Sequence, residues 1–187
     1  VSRTQDAALE VARLKAQARG EGRTILAVDP GTAATGVALL VDGEPWLLTV
    51  IRARGVTAEE RLPAMCHDVA AFVRRYLDET NVDTVALEWQ AIRPGDKRPN
   101  DILHLSIVLG AALAGFRRDS AARLLTPLPA AWKGNTKPEI FDRRIREHYP
   151  TAAEKLHDVP AHLQHNAIDA LGLASWAINR CLPWKSL

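Results

Sequence analysis

The tightest constraint on the fold is a succession of three short apolar runs, 24–29 (TILAVD), 35–41 and 46–53, separated only by turn residues. Runs of this length, rich in aliphatic and β-branched residues, read as strands. Pro30-Gly31 ends the first run, and Asp42-Gly43 stands between the second and third as a hairpin signal. A chain that opens this way commits to a sheet. Whether helices cover that sheet is decided by the rest of the chain.

Thr57-Ala58-Glu59-Glu60 has capping-box spacing, and Leu62, Met65, Val69, Phe72, Val73 and Tyr76 then recur at helical intervals. Pro63 suits a first turn better than a helix interior, which predicts that the regular helix starts near Leu62. Residues 82–88 alternate like a strand and stop at Glu88. Residues 100–116 form a second predicted helix, striped by Ile102, Leu105, Leu109 and Leu113, with Gly110, Ala111, Ala114 and Gly115 permitting close packing. Residues 122–126 are the predicted last strand. Thr136 and Glu139 form a second capping box before a basic helix that ends near 148–150, and the final helix spans about 163–179, with Ile168, Leu171, Ala174 and Ile178 on one side. This order implies an α/β fold, a mixed five-stranded sheet flanked by helices. One domain is expected at 24–187, preceded by a polar, partly amphipathic helical extension at 1–23.

Composition narrows the partners. The apolar stretches are interrupted before the roughly 20 residues a membrane span requires, and the first residues lack the apolar core of a secretory signal, so a cytoplasmic, membrane-free protein is expected. Cys66 and Cys181 match neither a zinc spacing nor a disulfide framework and read as reduced packing residues. Charge is unevenly spread: residues 91–146 carry eleven basic and five acidic side chains. A basic middle suits a phosphate backbone, although a solvated surface also accounts for such an excess.

Asp29 ends the first strand, Glu88 ends the fourth, and Asp169 lies in the last helix. If the first and fourth strands are parallel neighbours, both strand-end carboxylates emerge at one sheet edge, where ligand sites of α/β folds gather. A carboxylate from a packed helix would complete an oxygen-donor set for Mg2+ or Mn2+. Asp169 stands in the otherwise apolar segment 167–174, where an unpaired charge is costly. Asn166 and His165, three and four residues before it, share nearly the same helical face. Gly31 and Gly36 in the turn after Asp29 remove side-chain bulk and would let a substrate backbone approach, or serve only the turn itself. The terminal Gly-Lys-Ser/Thr of a nucleotide phosphate loop is missing.

These motifs, taken in order, have a counterpart. ILAVDPGTAATGVALL resembles the first strand and hairpin of RuvC-type Holliday-junction resolvases, VALEWQ resembles their second acidic motif, and HNAIDALGLA their C-terminal acidic helix. Trp132-Lys133-Gly134 with Lys137 is similar to the family's pair of lysines near the phosphate. The resemblance covers about residues 24–178. It implies a ribonuclease-H-like fold, a homodimer, Mg2+ or Mn2+, and paired nicks across a four-way DNA junction, and such a compact resolvase would suit a phage or bacterial setting. It carries metal binding onto Asp29, Glu88 and Asp169, and phosphate contact onto Lys133 and Lys137. The family's base-contacting loop comes after the second acid, here 89–99, whose candidates are Trp89, Arg93, Lys97 and Arg98. One departure stands out: three residues before the last acid the family commonly has another acid, or in some members histidine, where this chain has Asn166. The fourth functional position is therefore Asn166 or His165.

Three other readings compete. A ribonuclease H acting on RNA/DNA hybrids would need Glu59, Glu60 or Asp68 of the first long helix at the metal site. An actin-like ATP-binding protein shares the Asp-Pro-Gly-Thr hairpin but needs a duplicated domain and a second phosphate motif, for which 187 residues leave no room. A non-catalytic DNA-binding module would have no use for all three carboxylates.

Overall fold

The computed structural model describes residues 23–90, 99–116 and 121–181. Strands β1 (Thr24–Asp29), β2 (Ala34–Val41) and β3 (Glu44–Arg52) form the opening meander, followed by helix α1 (Ala58–Glu79), β4 (Thr84–Leu87), α2 (Pro99–Gly115) and β5 (Arg123–Leu125). Then come α3 (Pro129–Trp132), α4 (Pro138–His148), α5 (Ala152–Lys155), a 3-10 turn (Ala161–Leu163) and α6 (Gln164–Cys181). The sheet order is β3-β2-β1-β4-β5, antiparallel across the meander and parallel from β1 through β4 to β5. Asp42 and Gly43 both take positive φ, 55° and 85°, as a two-residue hairpin twisted to match its strands requires.

Alternation along the strands divides the core in two. Leu26, Val28, Val37, Leu39, Val85 and Leu87 face α1 and α2. Ile25, Ala27, Ala38, Leu40 and Ala86 face α6. The second face holds a row of small residues, because Ala27 pairs with Ala38 on one side and with Ala86 on the other. Ala167, Ala170, Ala174 and Ala177 of α6 are fully buried in the same cluster. Alanine against alanine lets the helix backbone lie close to the sheet, and Gly36 extends the contact: a Cβ there would stand 1.9 Å from the carbonyl oxygen of Asn166. These layers, with their strand order, form a ribonuclease-H-like fold. Among the described residues no helix is long and apolar enough to cross a membrane.

Several boundaries depart from the sequence reading. Helix α1 starts at Ala58, not near Leu62: the Thr57 and Glu60 capping box forms in full, and Pro63 lies inside the helix. Its exposed position leaves the freed carbonyl of the preceding turn to solvent. The second capping box does not form. Lys137 is the N-cap of α4, with Pro138 in the first turn and no side-chain cap. Helices α3 and α5, four residues each, are too short to leave a periodic signal. The expected extension at 1–23 lies, except for Arg23, outside the described residues.

Candidate active site

The site forms at the carboxyl end of β1. Parallel pairing sets Val28 beside Leu87, so Asp29 and Glu88 leave the sheet together, and the Glu88 N–H still donates to the Val28 carbonyl at 3.1 Å. The turn after Asp29 is closed by the buried Thr35 hydroxyl, which accepts from the Gly31 N–H (3.2 Å) and donates to the Gly31 carbonyl (3.0 Å). On the other face Gly36, the strand partner of Asp29, receives the first turn of α6. Asp169 comes about one helical turn after Asn166, which brings the third carboxylate to the same edge.

Electrostatics tie the three together. Burial holds the Asp29 carboxyl well above its ordinary range, the Glu88 and Asp169 charges push it further, and Lys133 opposes them. A side-chain interaction with Glu88 adds a smaller upward push on Asp29. Glu88 is raised as well, chiefly by burial, against donors from Gln90 and Trp132 and the charge of Lys133. Asp169 forms an ion pair with Lys133, its Oδ2 2.6 Å from Nζ, both groups largely shielded from solvent. The Lys133 ammonium also lies 5.0 Å from the Phe141 ring centroid and 5.6 Å from that of Trp132.

Two residues that sequence reading gave no role toward Glu88 hold it in place. The Trp132 indole N–H donates to Oε2 at 3.0 Å, and the Gln90 amide donates to Oε1 at 2.9 Å. Trp132 sits 44 residues from Glu88 along the chain, so no local pattern could reveal the pair.

The other expected residues fall in different places. Lys137 and His165 are both exposed, and no hydrogen bond or ion pair among the described residues joins either to the carboxylates. Asn166 is half-buried, and its amide donates to the Leu163 carbonyl at 3.3 Å. Trp89 is 42% exposed beside Glu88, with its backbone N–H donating to the Pro127 carbonyl. Arg93, Lys97 and Arg98 lie outside the described residues. Gly31 and Gly36 do not open the turn to a substrate. A Cβ at either would strike protein backbone, the Ala34 carbonyl at 2.0 Å or the Asn166 carbonyl at 1.9 Å, so both glycines serve internal packing.

Among the described residues no three His, Cys, Asp or Glu side chains stand as a ligand cluster. The donor chemistry suits a hard divalent cation: the Glu88 and Asp169 charges raise Asp29, the Asp169 charge raises Glu88, and a cation relieves that repulsion.

Fold and site together describe a ribonuclease-H-like α/β domain with acidic residues at one sheet edge. Solved structures of two resolvases share this fold. Thermus thermophilus RuvC in complex with Holliday junction substrate matches with a TM-score of 0.58 at 18% identity, over 82% of this chain and 92% of that one. A second T. thermophilus RuvC structure matches at 0.53 and 18%, over 84% and 96%. The yeast mitochondrial Holliday junction resolvase Ydc2 matches at 0.55 and 12%, over 82% and 77%. At these identities the likeness is one of fold. No family profile and no curated protein matches the chain by sequence.

Proposed function

We propose that this chain is a metal-dependent endonuclease that nicks branched DNA, four-way junctions in particular. The observation that carries the reading is the gathering of Asp29, Glu88 and Asp169, from two strand ends and a helix, around Lys133 in a fold shared with junction resolvases. Asp29, Glu88 and Asp169, with Asn166 as fourth donor, would hold Mg2+ or Mn2+. Such ions, when bound, stabilise the attacking water and the leaving oxygen of phosphodiester hydrolysis. The chain's own groups do the rest. Lys133 offers a phosphate its ammonium, and the exposed Trp89 ring offers a stacking face to an unpaired base. Lys137, Arg93, Lys97 and Arg98 add the positive field that a DNA backbone requires. A nicking assay on a synthetic four-way junction beside linear duplex, with and without Mg2+, tests the reading; equal cutting of both, or metal-independent cutting, would contradict it.

The hybrid-cleaving alternative loses support from α1. Glu60 is committed to the capping box at the helix start, Glu59 is exposed in the same turn, and Asp68 pairs with Arg54 at 2.6 Å. None of these three acids is left to join the carboxylates at the sheet edge.

Replacing Lys133 or Lys137 with Ala is expected to weaken junction binding across sequences and to lower the slope of log K against log salt by about one counterion each. Unchanged slopes in both variants would make them ordinary surface lysines. Asn166→Asp should lower the Mg2+ concentration needed for half-maximal cleavage, because a carboxylate is the stronger ligand and, having lost the bond to Leu163, is repelled from that carbonyl. Asn166→Ala should raise it. If Asn166→Ala leaves the titration unchanged while His165→Ala eliminates cleavage, the fourth position belongs to His165.

The homodimer that the resemblance implies has a candidate face on α2. Leu103 and Ile107 are 57% and 44% exposed, and Gly110 and Ala114 continue their stripe, with open space above Gly110. We assign this face to a second copy of the chain. Leu103→Glu with Ile107→Glu should convert a dimer to monomer in light scattering; a dimer unaffected by the pair of charges would place the interface elsewhere.

A further inference from the structure

We propose that Trp132 is a positioning residue, whose indole N–H fixes the Glu88 carboxylate in the orientation a divalent ion requires. This rests on the nuclease reading and extends it to a residue outside the ligand set.

Glu88 is buried, 9% exposed, and both of its oxygens are engaged, Oε2 by Trp132 and Oε1 by Gln90. The two donors are unlike. Gln90 is a near neighbour on the loop after β4, with a flexible amide. Trp132 arrives from α3 with only two side-chain torsions, and its ring is fixed from two directions. Phe141 of α4 meets it edge to face at 5.4 Å, and α6 lies against it at Gly172. A Cβ at Gly172 would stand 2.2 Å from Phe141 Cζ and 3.2 Å from Trp132 Cζ3, so the two rings rest on bare helix backbone. Gly172 lies three residues after Asp169. Trp132 therefore spans the gap between Glu88, which follows β4, and α6, which carries Asp169, and its successor Lys133 holds Asp169 itself. Adjacent residues at the end of one short helix thus hold two carboxylates that the chain separates by 81 positions.

An indole N–H is a donor without acceptor capacity, so it selects an oxygen lone pair and fixes the carboxylate's rotation. Ring packing alone would be served equally well by Phe. The N–H is the part that packing does not explain, and outer donors of this kind commonly govern how tightly a ligating carboxylate holds its ion.

The test is a calorimetric Mn2+ titration of the full chain without DNA. Trp132→Phe keeps an aromatic ring, and a variant carrying 3-benzothienylalanine at position 132 replaces only the N–H by sulfur and preserves the bicyclic shape. Both should bind Mn2+ about tenfold more weakly than wild type, while binding to a four-way junction in EDTA stays unchanged. The Trp132 Nε1–H resonance should shift on addition of Mg2+ and on Glu88→Gln. If Trp132→Phe fails to fold, the benzothienyl variant alone decides. Wild-type Mn2+ affinity in that variant, or an indole resonance indifferent to Glu88→Gln, overturns the assignment. A wild-type chain that binds no Mn2+ overturns the metal-centre reading and this role together, whereas metal binding unaffected by the loss of the N–H overturns the role alone.

Discussion

Asp29→Asn, Glu88→Gln and Asp169→Asn are each expected to reduce junction nicking by about a hundredfold or more while leaving junction binding largely intact. The rate should fall because stabilisation of the transition-state charge by bound metal is worth several kcal/mol, and about 1.4 kcal/mol is a factor of ten. Binding should survive because phosphate contacts, which supply most of the affinity, come from other side chains. Each substitution also removes a carboxylate from the proposed DNA-binding surface, so any change in affinity should be toward tighter binding. Asp169→Asn has an added consequence, since it releases Lys133 from its ion pair. Gel-shift titrations in EDTA, run beside single-turnover nicking in Mg2+, separate the two effects. Near-normal nicking by any one variant removes that residue from the site.

The same carboxylates should make the metal-free protein less stable as pH rises. The folded-state values of Asp29 and Glu88 are raised above their ordinary ones, so over the interval between ordinary and folded values the folded protein holds protons that the unfolded chain has released. Stability from these groups is therefore fully present below the ordinary carboxylate range and is lost as pH climbs through the folded values. Asp29→Asn removes the largest contributor. In EDTA it should melt above wild type at pH 7, with roughly 2–4 °C for each kcal/mol recovered, and its melting temperature should decline less between pH 4 and 7. Mg2+ should narrow the gap by stabilising wild type, about 2.7 kcal/mol at a hundred times the dissociation constant. An Asp29→Asn protein that melts below wild type at pH 7 in EDTA would show that the carboxylate is structurally required and not strained.

The strands were legible because both faces of β1 and β2 are packed on helices, so Ile25 through Val28 and Val37 through Leu40 stand out as continuous apolar runs bounded by turn residues. The Thr57 capping box was legible because both of its bonds are local. Its counterpart at Thr136 was misleading: Pro138 fixes its own backbone in the first turn, which moves the cap to Lys137. Asp29, Glu88 and Asp169 could be picked out because strand ends and an apolar helix make a carboxylate conspicuous. What holds them could not. The Trp132–Glu88 and Lys133–Asp169 contacts join residues 44 and 36 positions apart, and such pairs depend on how layers stack, which no periodicity encodes. Gly31 and Gly36 show the same limit from the other side: small residues are visible in sequence, but whether they face a ligand or the protein's own backbone is a property of the assembled layers.

The row formed by Ala38, Ala27 and Ala86 has a further consequence. These side chains set the height at which α6 rests above the sheet, and that height fixes how far Asp169 stands from Asp29 and Glu88. The reach of the acidic cluster is thus gauged by methyl groups in the dry interior that touch neither water nor nucleic acid. Bulkier residues along the row would act as shims, lifting the acidic helix while leaving every strand pair in register. A chain altered in this way could keep its fold and still lose the proposed metal-dependent nicking, with no polar residue changed.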